Sequence, residues 1–398
     1  MENGKIQGKT YASGKRMANL ELLRCVAMMM VVVLHYLGKG NLLADLSGEA
    51  PLGAAGVTAW LLESFSIVAV NVYMLISGYF LCMSSFKISR LVQLWLQVFT
   101  YSAAFGLAGA FAGIMEETAF DTHYLLTLLF PVSMGHYWFM TAYIFLYLLL
   151  PFVGMAAGKM TRGQMRIALG LLLFMFCILK SILPVRLETD GQGYDCLWYL
   201  CVFLAAAYIR RFGVPFLEKR TRCLALYAGC CLSVFGGTMA LRLFYLRTGS
   251  LERLLKVLME YNHILPFLAA VGLFGFFLGL RVKGRAAGVV NRIAPYTLGV
   301  YLLHENLGLR YTWQKWLGSG RGLLLQAPGG GGFTAAAGLV LWTMAAAACV
   351  FVCGIMVDAA RKRLFGMVHC ALSKLGLYRR LVMALERADQ AFGAFGKD

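Results

Sequence analysis

The chain has 398 residues, 60% of them hydrophobic and only 14% charged, with a mean hydropathy of +0.69. That apolar share far exceeds what a soluble globular domain carries, and the class it implies is a polytopic membrane protein. The formal charge of +18 invites a nucleic-acid reading, but the cations recur in alternate connections instead of forming one aromatic-studded patch, so membrane topology explains them better.

About ten apolar stretches are long enough to cross roughly 30 Å of hydrocarbon at ~1.5 Å per residue, near residues 19–38, 57–82, 91–115, 137–157, 165–184, 195–211, 222–244, 263–281, 290–309 and 333–358. The sequence therefore predicts an all-α integral membrane protein of about ten transmembrane helices. Its expected organisation is an N-terminal tail over 1–18, a transmembrane domain over 19–358 and a basic, amphipathic tail over 359–398. Lys5, Lys9, Lys15 and Arg16 precede the first span, and Lys87 and Arg90, Lys159, Arg162 and Arg166, Arg210 to Arg222, Arg281 to Arg292, and Arg361 to Arg363 continue the series in alternate loops. The intervening loops hold fewer cations and include Glu116, Glu117 and Asp121. Both termini are then cytoplasmic and the protein sits multi-pass in the cell membrane. The loop at 245–261 fits least well, since Arg247, Arg253 and Lys256 there are only roughly balanced by Glu252 and Glu260.

The first span, NLELLRCVAMMMVVVLHY, holds Arg24 and His35. Eleven steps of ~100° and ~1.5 Å return the two to nearly one helix face, roughly 16 Å apart along the axis. The run is too long for a signal-peptide core and lacks a small-residue cleavage site after it, so it reads as a retained span. Arg24 has two readings. It can snorkel to headgroups and pair with Glu21 at i, i+3, or its guanidinium fork can hold a phosphorylated ligand. His35 is either an interfacial histidine or a working imidazole.

Farther along, Ser77 and Gly78 form a small-residue pair suited to helix packing, while Gly275 and Gly279 form a GxxxG that reads as close packing. Trp138, Trp198 and Tyr199 fit an aromatic belt, with sugar stacking as the alternative. His136, His304 and Glu305 fall toward the same side as His35 and could gather round one outer cavity; His123, His263 and His369 match no pattern. The eleven cysteines are scattered through apolar segments without metal-ligand spacing, so no metal is expected. No internal repeat is visible. Gly329 to Gly332 read as a flexible outer loop.

The Arg-x10-His motif from Arg24 to His35 resembles that of the membrane-bound acyltransferase 3 family, and three further elements follow in order. VNVYMLISGYFL (Val70 to Leu81), followed by the basic Arg90, is similar to the family's Ser-Gly-Phe/Tyr element, with Tyr79 where many relatives carry Phe. HYWFMTAYIFLYLLLP (His136 to Pro151) resembles its Trp-Phe span, and IAPYTLGVYLLHEN (Ile293 to Asn306) its late Tyr-Leu-Leu-His element. The resemblance implies an acyl-CoA-dependent enzyme that moves an acyl group, most often acetyl from acetyl-CoA, to a hydroxyl of a cell-surface or lipid-linked polysaccharide. It implies His35 as general base, or less favourably as a covalent acyl carrier. Arg24, Ser77, Gly78, Tyr79 and Arg90 would meet the donor, and His136, Trp138, His304 and Glu305 would support the acceptor site. The partners implied are the lipid bilayer, acyl-CoA and a glycan acceptor, with no nucleic acid; oligomeric state is not readable. A polysaccharide or lipid transporter would share the span count without needing Arg-x10-His, and a noncatalytic scaffold would tolerate loss of both residues.

Overall fold

The computed structural model describes residues 16–113, 121–183, 190–319 and 332–394. The cations before Arg16, Glu116 and Glu117, and the glycines 329–331 lie outside the described residues. Within them the chain is helical without strands: α1 (Ala18–Lys39), α2 (Ala54–Ser66), α3 (Ala69–Leu81), α4 (Ile88–Phe111), α5 (Thr122–Leu129), α6 (Trp138–Lys159), α7 (Arg162–Leu173), α8 (Leu179–Ile182), α9 (Cys196–Phe212), α10 (Arg220–Thr248), α11 (Ile264–Leu278), α12 (Gly284–Ile293), α13 (Thr297–His304), α14 (Trp313–Trp316), α15 (Phe333–Leu372) and α16 (Gly376–Ala394).

Eight helical segments are long and apolar enough to cross a membrane; the other two expected spans take different forms. α9 has 17 residues, about 26 Å at 1.5 Å per residue and short of the ~30 Å hydrocarbon core. The stretch expected to cross at 290–309 is broken. Pro295 sits in a 3₁₀ turn at Ala294–Tyr296, where its ring and missing N–H cannot continue the α ladder, and only the eight-residue α13 follows. The expected boundary at 358/359 is one of charge only, because α15 runs unbroken through it to Leu372.

α1 is the hub of the bundle, packed by α2, α3, α11, α12, α13 and α15. Asn19 on its first turn donates to the carbonyls of Phe277 and Leu278 at 2.9 and 3.1 Å, closing the carbonyl end of α11. α7 and α15 are peripheral, with Ile167, Leu171 and Leu341 exposed as a lipid-facing surface requires. The GxxxG reading holds: a Cβ on Gly275 would fall 3.0 Å from Cys223 Sγ, and one on Gly279 would fall 2.9 Å from Arg220 Cγ, so this face of α11 lies close on α10.

Two expectations about aromatic residues are corrected. Trp198 and Tyr199 are fully buried, with Trp198 Nε1 donating to Asn71 Oδ1 at 2.8 Å, so they belong to the core and not to a lipid-facing belt. Asn71 in turn donates to the Tyr261 carbonyl at 2.7 Å and fixes the segment leading into α11.

Candidate active site

One face of α1 carries Arg24, Met28, Val31, Leu34 and His35, spaced so that all line a single cavity of about 310 Å³. At the Arg24 end the walls are Ser77, Phe80, Leu81, Arg90, Pro295, Thr297 and Leu298; Val70, Trp138, Phe139, Tyr261 and Tyr301 lie toward the His35 end. The break at Pro295 brings both ends of α13 to the cavity. Its first turn faces the Arg24 end, and its last places His304 and Glu305 beside His35.

Arg24 Nη1 pairs with Glu21 at 2.9 Å, as the i, i+3 spacing anticipated. The rest of its guanidinium has no other partner among the described residues, so the fork is anchored at one nitrogen and available at the others. Tyr73, also in the lining, donates to the Arg24 carbonyl at 2.9 Å and locks α1 to α3 at this level. Arg90, at the start of α4, lies over the Tyr147 ring at 5.8 Å. Two cations thus converge on one end of the cavity.

At the other end the hydrogen bonds fix a tautomer. His304 Nδ1 lies 2.6 Å from the Val300 carbonyl, which can only accept, so in the neutral ring the proton is on Nδ1 and Nε2 carries the lone pair. His35 Nδ1 lies 2.9 Å from that Nε2 and 3.1 Å from Glu305 Oε1, so it must be the donor. His35 Nε2 is left as the lone pair, the state a general base needs. Lys39, one turn after His35, pairs with both Glu305 oxygens.

The donor atoms of His35, His304 and Glu305 lie within 4.8 Å of one another, close enough to hold a metal ion. Both His304 nitrogens and both Glu305 oxygens are already committed to protein partners, and the Lys39 ammonium supplies the positive charge. As hydrogen-bonded here, the same atoms form a chain along which a proton can be shared.

Of the other histidines and expected site residues, only some reach the cavity. His136 does not line the cavity: its Nε2 accepts from Leu307 N–H at 3.1 Å and its Nδ1 faces Ser102 Oγ at 3.0 Å, so it pins the chain just after Glu305. Gly78 faces α9, where a Cβ would come within 2.9 Å of Ala206 Cβ, and the Tyr79 hydroxyl accepts from Arg210 at 3.0 Å. Both serve helix packing instead of facing the cavity. His263 caps α11 by accepting from Leu265 N–H at 3.3 Å. Trp138 does line the cavity, stacked on Tyr261 with ring centroids 5.9 Å apart.

Two residues were not singled out from sequence. Lys39 reads as an ordinary span-ending cation until α13 brings Glu305 against it. Tyr301 lines the cavity, while its hydroxyl is buried beside the Phe139 N–H and completes no hydrogen bond among the described residues. The Tyr-Leu-Leu-His spacing that puts Tyr301 one turn before His304 was a usable signal for it.

A family model described as an acyltransferase domain, that of acyltransferase 3, matches residues 17–360. No curated protein and no solved structure matches the chain.

Proposed function

Because this chain belongs to the acyltransferase 3 family and is a membrane acyltransferase by that membership, we propose that it moves an acyl group, most often acetyl, from cytoplasmic acyl-CoA to a hydroxyl of a cell-surface or lipid-linked polysaccharide. The observation that supports this reading is the single cavity joining an available guanidinium at Arg24 to an unprotonated Nε2 at His35. At about 310 Å³ it stands at the small end of ligand pockets (roughly 300–1,000 Å³). That size suits an extended acyl-pantetheine arm, with the nucleotide and its phosphates left at the Arg24 and Arg90 end, where bidentate cation–phosphate pairing is strongest.

In this reading His35 Nε2 takes the proton of the acceptor hydroxyl as its oxygen attacks the thioester carbonyl carbon. The imidazolium that forms keeps its Nδ1–H on His304 Nε2 and Glu305, whose negative charge stabilises it. Collapse breaks the carbon–sulfur bond, and the imidazolium returns its proton to the departing thiolate, which leaves free coenzyme A and an O-acyl ester. Trp138 and Tyr261 offer aromatic faces to a sugar ring at the same end.

The test is chemical. Membrane glycans from cells carrying the gene should contain alkali-labile O-acyl esters that disappear on its deletion and on replacement by His35→Gln. Unchanged ester content in both would remove the assignment.

A further inference from the structure

The family match ends at residue 360, and a helix beyond it packs against the start of α4, the segment that carries the cavity residue Arg90. α15 is followed by a short turn and α16 folds back, tied to it by His369 Nδ1 and the Tyr378 hydroxyl at 2.7 Å. α16 then meets the start of α4. Asp389 accepts from the backbone N–H of Ser89 at 3.0 Å and from its hydroxyl at 2.5 Å. That N–H is one of the first-turn donors that a helix cannot satisfy itself, and α4 has no side-chain cap of its own at Lys87. A carboxylate from α16 therefore supplies the missing cap.

The contact continues through rings. Phe392 lies 5.2 Å from Phe86, and Phe86 lies 5.2 Å from Tyr147, the residue over which Arg90 is placed. The turn from Phe86 to Arg90 is thus held between α16 and α6, and Arg90 lines the cavity.

The other half of α16 is bare. Leu377, Leu381, Leu385, Ala388 and Phe392 recur at helical spacing on one face, but Leu377 is 73% and Leu381 56% exposed. Arg379 and Arg380 flank them, also exposed. From Arg361 to Asp389 the chain has seven Lys or Arg and two acids. A bare apolar stripe flanked by cations fits a bilayer surface that carries anionic headgroups.

We propose that α16 is a lipid-reading latch: its Leu377–Leu381 half seats on an anionic bilayer surface, and that seating holds Asp389 on Ser89 and keeps Arg90 in place for the donor. The role of Arg90 rests on the acyl-transfer reading above; the latch itself does not.

The full chain is reconstituted in nanodiscs of phosphatidylcholine alone or mixed with phosphatidylglycerol, and amide hydrogen exchange over 376–394 and 88–92 is read beside the KM for acetyl-CoA. Phosphatidylglycerol should slow exchange in both segments several-fold and lower KM several-fold with kcat unchanged. Replacing Arg379 and Arg380 together by Gln should abolish both responses. Asp389→Asn should leave the lipid response of α16 intact while 88–92 no longer follows it. Equal exchange in the two discs, or a lipid response that survives the double Arg replacement, overturns the proposal. If coenzyme A is never released, the acyl-transfer reading fails, and exchange alone decides the latch.

Discussion

Lys39 and Glu305 form an ion pair beside His35, and Glu305 and Arg24 answer to different substitutions. Glu305→Gln preserves shape but removes the charge that stabilises the imidazolium, so kcat should fall at least tenfold, with donor KM little changed. Arg24→Lys keeps the charge and loses the fork, so its signature should be a higher KM for acyl-CoA; an unchanged KM would return Arg24 to headgroup snorkelling. Steady-state kinetics on purified variants separates these cases. Arg24 and His35 were legible in sequence because both lie on one helix, where spacing alone sets their shared face. Lys39 acquires its role through a contact between α1 and the end of α13, which no local pattern specifies.

Helices that look alike in hydropathy play different parts here. The break at Pro295 turns an expected span into a short buried helix that reaches both ends of the cavity, and the small residues of α3 and α11 set how closely their neighbours approach. Gly78→Leu should wedge α3 from α9 and destabilise the fold by about 1–3 kcal/mol, measured by unfolding in detergent. Lys180 on α8 binds Asp190 and Glu260, each at 2.6 Å, with all three side chains at most 8% exposed. Removing it by Lys180→Met would leave two buried carboxylates without their cation, at a cost of about 3–5 kcal/mol. Hydropathy located most spans but missed this cluster, because a lone Lys in an apolar run shows its value only when two loops bring acids to it.

For the whole molecule, the orientation of helices puts Arg24, Arg90 and the end of α6 at one side and His35, Trp138 and Glu305 at the other. The charge distribution predicts that the first side is cytoplasmic. In a background with the native cysteines replaced, Glu49→Cys should react with a membrane-impermeant thiol reagent on intact cells. Lys159→Cys and Lys283→Cys should react only after permeabilisation. The reverse pattern would put the donor end outside and separate the protein from cytoplasmic acyl-CoA.

The central claim is that one cavity carries an acyl group from a donor held at Arg24 to an acceptor activated at His35. The most direct measurement uses purified protein in nanodiscs with acetyl-CoA labelled in the acetyl group and a glycan-containing lipid extract as acceptor. Label should enter an alkali-labile ester in step with coenzyme A release, and His35→Gln, still folded, should do neither. Transfer by His35→Gln at the rate of the parent protein would contradict the account.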